Sequence, residues 1–272
     1  MSAGDWVGVL GQAAALGAGH AVLIGGEPTL YPGLGQVVRA ALGLGMAVEV
    51  YSNLVRVTGA MWELFSVPGV SLATSWYSDD RVQHMQVTGG RDTWRQTRAN
   101  IAEAVRRGIP LRAGVVDGIV DGQRAGEAAR ELGGLGVADV GRDFSRQFGR
   151  GTVADPSQAC GQCGRGVLAV LPDGSVTPCP LTRWLKAGNV RDMPLSEIAG
   201  GPLAAVTAGL RPVGACNPDC QPHCRPSGLC SPDCGPVSEC RPKCGPTCQP
   251  QCLPNTRCEP LCAPSACRPN LR

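Results

Sequence analysis

Cys160, Cys163 and Cys179 stand in a C-x2-C-x15-C arrangement with Asp173-Gly174 between the second and third. Aspartate followed by glycine turns a chain into a hairpin, which would return Cys179 to the side of the early pair. Soft thiolates gathered in this way suit zinc or an iron–sulfur cluster, both of which want up to four ligands. Three buried thiols without metal are the plainer alternative. Twelve further cysteines lie between Cys216 and Cys267, each followed by one residue of any type and then proline. Proline fixes its own φ and biases the residue before it toward extended backbone, so each C-x-P unit is a stiff rung that presents thiols at regular intervals. Cys216, Cys220, Cys224, Cys230 and Cys234 are candidate metal ligands on this ground, with His223 among them as either an extra ligand or, the plainer reading, a bystander. From about Cys240 onward a low-complexity tail accounts for the composition as well as metal binding does.

A different chemistry is suggested upstream. Gly25-Gly26-Glu27-Pro28 follows the apolar run HAVLI. Loops after strand C-termini build the sites of parallel α/β folds; glycines there let a ligand approach the backbone, and Glu27 offers a carboxylate to an amine. Tyr51-Ser52-Asn53 ends the next apolar run, and the polar cluster Thr74 to Asp80, which includes Ser75, follows the third. Each alone reads as an ordinary turn. Three successive strand ends carrying polar clusters read as a site.

The elements that must hold these residues alternate in period. Ser2 and Asp5 form a capping-box pattern ahead of a helix to about Leu16. Strands are predicted at His20–Ile24 (a buried run), Met46–Tyr51, Val70–Ser75, Ile109–Val116 and Val137–Val140. Helices are predicted at Gly33–Leu44, Thr58–Phe65 with Thr58 as N-cap, Asp92–Arg107 and Arg124–Leu135. This is an α/β pattern of βα units around a parallel sheet. Its first element is a helix with no strand before it, so an opening strand is expected upstream of Met1, and without it HAVLI would carry unpaired backbone groups along one edge. We divide the chain into 1–150, a partial barrel; 155–234, a small Cys-rich module; and 235–272, a Cys/Pro-rich tail. The tail cannot build a hydrophobic core, since no Phe, Tyr or Trp follows Trp184.

Composition narrows the classes. A net charge of +3 with 17% charged residues argues against an electrostatically driven nucleic-acid partner. No apolar run reaches the 18 residues of a membrane span. The N-terminus lacks the basic region of a secretory signal, which points to the cytoplasm, where clustered cysteines serve as metal ligands more often than as disulfides.

Taken together, residues 1–234 resemble the radical S-adenosylmethionine enzymes that carry a C-terminal SPASM or twitch extension. Gly25-Gly26-Glu27-Pro28 is similar to that family's GGEP motif, where backbone and acid receive the amino group of S-adenosylmethionine. Ser52-Asn53 is similar to its polar strand end, with Leu54 where a glycine is expected. Cys160-x13-Gly174-x4-Cys179 is similar to the opening of a SPASM domain, and Cys224-x5-Cys230-x3-Cys234 to a later block of it, although Cys220 precedes Cys224 by x3 instead of x2. The resemblance implies a partial (β/α) barrel of radical SAM type missing its first strand. It also implies S-adenosylmethionine and [4Fe-4S] clusters as cofactors, modification of a peptide or protein substrate by 5′-deoxyadenosyl radical chemistry, and a reductase as partner. The family's C-x3-C-x2-C loop has no counterpart, because no cysteine precedes Cys160. The expectation is that the chain starts one βα loop late and is not active as a radical enzyme by itself. Two other readings compete: a non-catalytic metal-binding protein with a metallothionein-like tail, and an extracellular disulfide-rich protein, which the odd thiol count disfavours.

Overall fold

A computed structural model describes residues 1–145, 163–164, 166–208, 252–253 and 257–258. The chain divides into two compact units, Met1–Ser145 and Arg146–Arg272.

In the first unit, strands β1 (His20–Leu23), β2 (Ala47–Tyr51), β3 (Val70–Trp76), β4 (Leu111–Asp117) and β5 (Asp139–Phe144) form one sheet in sequence order. Every neighbouring pair is parallel. The crossovers carry helices α2 (Leu34–Gly43), α3 (Gly59–Phe65), α4 (Arg81–Val87), α5 (Trp94–Arg106) and α6 (Ala125–Gly134), with α1 (Ala3–Ala15) ahead of β1. The start of α1 follows from its first residues: the Ser2 hydroxyl accepts the Asp5 N–H at 3.2 Å and the Asp5 carboxylate accepts the Ser2 N–H at 2.8 Å. Thr58 caps α3 in the same way, accepting the Met61 N–H at 3.3 Å.

Alternation along the strands sorts their side chains onto two faces. Val48, Val50, Leu72, Trp76, Ala113 and Val115 join Val38, Phe65, Ile101 and Leu132 of the helices in one buried core. The opposite face carries Val22, Glu49, Tyr51, Ser75 and Arg112, in register across the strands.

Three features differ from the reading of the sequence. HAVLI is not a buried run: β1 pairs with β2 only, among the described residues, and Val22 and Ile24 are 44% and 46% exposed. An edge strand has no neighbour to cover its second flank. Helix α4, which was not expected, follows directly on the polar cluster Thr74 to Asp80; Asp80 caps it by accepting the Gln83 N–H at 2.8 Å, while Asp79 is drawn into an ion pair with Arg124. Helix α5 starts at Trp94, not Asp92, because Asp92 is spent on Arg81, 3.0 Å from its Nε.

Helix α4 also buries His84, which is 2% exposed and lies 4.8 Å from the Trp76 ring and 5.6 Å from that of Tyr77. Its Nδ1 has no hydrogen-bond partner among the described residues. Burial pushes its pKa from 6.5 down to about 4, against the opposing pull of Asp92. The folded ring is therefore neutral where the unfolded one takes a proton, so stability is full above about pH 6.5 and falls as pH drops toward 4. The melting temperature of the wild-type protein is expected to fall more steeply over that window than that of His84→Phe, whose ring fits the same aromatic surroundings. Equal slopes would remove His84 from the account.

In the second unit β6 (Ala169–Val170), β7 (Ser175–Thr177) and β8 (Gly188–Asn189) form an antiparallel sheet in sequence order. The predicted hairpin is there, and its glycine is obligatory. Gly174 has φ +88°, and a Cβ on it would lie 2.4 Å from Asn189 Oδ1. Asp173 braces the turn by accepting the Ser175 N–H and hydroxyl, each at 2.9 Å, which lowers its carboxyl pKa. Helices α7 (Leu195–Gly200) and α8 (Pro202–Thr207) follow, and Leu195 and Ile198 are wholly buried. Cys252–Leu253 and Arg257–Cys258 form a further short antiparallel pair, β9 and β10.

Candidate functional site

The C-terminal ends of β1 and β2 are tied together by one carboxylate. Gly25 and Gly26 both take positive φ, +104° and +55°, which turns the chain sharply after β1 and brings Glu27 back toward the sheet. Glu27 Oε1 accepts the Thr29 N–H at 3.1 Å, the Thr29 hydroxyl at 2.8 Å and the Ser52 hydroxyl at 2.7 Å. Its Oε2 accepts the Asn53 N–H at 2.8 Å. Pro28 opens the 3₁₀ turn Pro28–Leu30 that Glu27 caps, where the missing N–H costs nothing. Gly25, Gly26, Glu27, Pro28, Ser52 and Asn53 thus come together. Oε1 is saturated, whereas Oε2 keeps acceptor capacity for an ammonium group. A Cβ at Gly25 or Gly26 would meet nothing within 4 Å, so a ligand has backbone to approach on that side.

Leu54, which stands where the family pattern has glycine, takes φ +52° and is the one non-glycine residue with positive φ among those described. Leu54 is wholly buried. Burying its side chain gives about 1.5–3 kcal/mol, which offsets the roughly 1–2 kcal/mol of the unfavourable conformation. Its N–H donates to the Ser52 hydroxyl at 3.0 Å and its carbonyl accepts from Asn100 at 2.7 Å, so the turn is held at both ends.

Ser75 is not part of this knot. Its hydroxyl lies 3.0 Å from that of Tyr51 on the polar face of the sheet. The Tyr51 ring carries the Arg112 guanidinium at 5.5 Å, and Arg112 is paired with the buried Glu49, Nε to Oε1 at 2.8 Å. The Glu49 carboxylate raises the Arg112 pKa further. Sequence reasoning missed this pair and Thr29; only the strand register brings Glu49 and Arg112 together.

In the second unit the hairpin returns Cys179 to Cys163, with their sulfurs 3.6 Å apart. Cys163 is buried and Cys179 partly so. The Cys163 thiol donates toward Cys179 and lowers the Cys179 pKa from 9.0 to about 5; burial opposes this, and the Thr182 hydroxyl with the Leu181 and Thr182 N–H groups adds to it. Such a sulfur is a thiolate at neutral pH, the form that binds metal. Cys160, Cys216, Cys220, Cys224, Cys230 and Cys234 lie outside the described residues. The donor set in view, a thiolate and a second soft sulfur supported by N–H and O–H donors, fits an iron–sulfur cluster.

Residues 160–231 match the family model of SPASM, described as an iron–sulfur cluster-binding domain. A comparison with curated proteins gave no match. Among solved structures, Streptococcus suis SuiB bound to S-adenosylmethionine superposes with a TM-score of 0.56 at 15% identity, covering 85% of this chain and 64% of that one. SuiB bound to its precursor peptide SuiA gives 0.56 at 14% identity, with the same shares. The protein anSMEcpe, with bound AdoMet and the Cp18Cys peptide, gives 0.60 at 11% identity, covering 85% of this chain and 82% of that one. The chain spans 60–64% of the length of the SuiB structures. Fold and match together define the class: a parallel α/β sheet like those of SuiB and anSMEcpe, followed by a segment that matches an iron–sulfur cluster-binding domain. No helix among the described residues is long and apolar enough to cross a membrane.

Proposed function

We propose that this chain is the S-adenosylmethionine-binding and auxiliary-cluster-binding part of a radical protein that modifies peptides in the cytoplasm, with electrons supplied by a reductase. The observation that carries the reading is the Glu27 knot. A carboxylate at the ends of two parallel strands keeps an open lone pair beside a glycine backbone, where an α-amino group would be held. Glu27 and the Gly25-Gly26 backbone would bind and orient that amine, and Ser52 and Asn53 would fix the carboxylate. When bound beside a reduced cluster, S-adenosylmethionine supplies hydrogen-atom abstraction. The solved structures with a precursor peptide or a cysteine-containing peptide support a peptide as substrate. Cys160, Cys163 and Cys179 would hold one [4Fe-4S] cluster, and Cys216, Cys220, Cys224, Cys230 and Cys234 would supply further ligands.

The first unit itself contains no cysteine, since the first in the sequence is Cys160. The test is to extend the chain with a strand and a C-x3-C-x2-C loop ahead of α1, reconstitute it anaerobically and reduce it. The extended protein is expected to form 5′-deoxyadenosine from S-adenosylmethionine and the unextended chain to form none. An extended protein that loads its clusters and binds S-adenosylmethionine, yet leaves it intact, would contradict the reading.

One distance favours a second reading. Two sulfurs bound to a single tetrahedral zinc at about 2.3 Å lie roughly 3.8 Å apart, close to the 3.6 Å between Cys163 and Cys179. On that reading the module is a zinc-holding, non-catalytic one.

A further inference from the structure

We infer that Thr182 donates a hydrogen bond to the Cys179 sulfur and thereby raises the reduction potential of the cluster bound there, an assignment that rests on the cluster reading above. Thr182 is wholly buried, in the turn that follows Cys179. Its Oγ1 accepts the Cys179 N–H at 3.2 Å, which fixes the hydroxyl oxygen over the cysteine. Its one proton then has two acceptors in reach, the Cys179 carbonyl oxygen at 3.2 Å and Cys179 Sγ at 3.4 Å.

Counting acceptors decides between them. A carbonyl oxygen has two lone pairs. The Cys179 carbonyl already receives the Thr177 hydroxyl at 2.9 Å and the Thr182 N–H at 3.2 Å. Both sites are filled, so the Thr182 proton goes to the sulfur. A 3.4 Å separation is within the reach of a sulfur acceptor, whose radius exceeds that of oxygen. Thr177 is thus part of the device: by occupying the carbonyl it directs Thr182 to the thiolate.

The consequence is electrostatic. Reduction adds an electron to an already anionic thiolate-ligated centre, and a donor to the sulfur stabilises the more negative state. Thr182→Val keeps the shape of the side chain and removes the donor; Thr182→Ser keeps the donor. The experiment is anaerobic redox titration of the reconstituted chain, followed by visible absorbance and electron paramagnetic resonance, with iron and acid-labile sulfide counted for each protein. Thr182→Val is expected to load as much iron and sulfide as the wild type and to shift the reduction equilibrium about tenfold toward the oxidised form, or about 59 mV for one electron. Thr182→Ser should stay within about twofold of the wild type, on the same scale. Thr182→Ala, which adds no bulk, serves in place of the valine protein if that fails to load. Loaded valine or alanine protein with an unshifted potential would overturn the role of Thr182 and leave the cluster standing. Wild-type protein without labile sulfide would overturn both.

Discussion

Replacing Glu27 by alanine is expected to lower the stability of the first unit and abolish its hold on S-adenosylmethionine. The motif alone suggests a loop that serves a ligand and not the fold, but the geometry joins the two roles. The carboxylate accepts four hydrogen bonds, from Thr29 twice, Ser52 and Asn53, and it closes the end of β1 onto the end of β2. Hydrogen bonds to a charged acceptor contribute about 1.5–3 kcal/mol each, less where water reaches the freed donors. Loss of the whole set is therefore expected to cost about 2–4 kcal/mol, or roughly 5–15 °C in melting temperature. Calorimetry is expected to give saturable binding of S-adenosylmethionine to the wild-type chain and none to Glu27→Ala. Glu27→Gln should recover part of the stability, since its amide oxygen still accepts, without recovering binding. An alanine protein that melts with the wild type and binds equally well would dissolve the knot as a site.

Cys179→Ser is expected to remove one whole cluster. Serine cannot supply the thiolate that the hairpin aims at Cys163, so the loss in the reconstituted protein should be about four iron and four sulfide per chain, a [4Fe-4S] complement. Cys163→Ser should do the same. Gly174→Ala should mimic both without touching a thiol, because φ +88° strains any residue that carries a Cβ, and one there would displace Asn189, whose Nδ2 holds the Asp173 carbonyl in the turn that returns Cys179. If these proteins keep the iron and sulfide of the wild type, the pair is not a ligand pair.

Much of this was legible in the sequence, for local reasons. The caps Ser2 and Thr58 act over three residues, within reach of spacing alone. Strands β2 and β3 begin within one residue of their predicted starts, since apolar alternation bounded by turns is a local signal. Gly174 was marked by the turn it had to make. What stayed hidden depends on register and on competition. The pairing of Glu49 with Arg112 requires knowing that β2, β3 and β4 lie side by side. Helix α4 is only seven residues, and its cap Asp80 was read as part of a polar cluster at a strand end because a cap and a ligand draw on the same side chains. Thr182 carried no signal: a threonine after a cysteine gains meaning only once the Cys179 carbonyl is seen to be occupied. The exposure of β1 was misjudged because an apolar run records what a strand can bury, not how many neighbours it has.

The central claim is that the second unit holds an iron–sulfur cluster through the thiols that its hairpin assembles. The most direct measurement is the metal and acid-labile sulfide content of the wild-type chain after anaerobic reconstitution with iron, sulfide and zinc all present. The account predicts iron and labile sulfide in equal amounts, a broad visible absorbance that bleaches on reduction, and little zinc. Zinc bound to the chain with no labile sulfide would contradict it and leave the single-ion site as the reading of the Cys163–Cys179 pair.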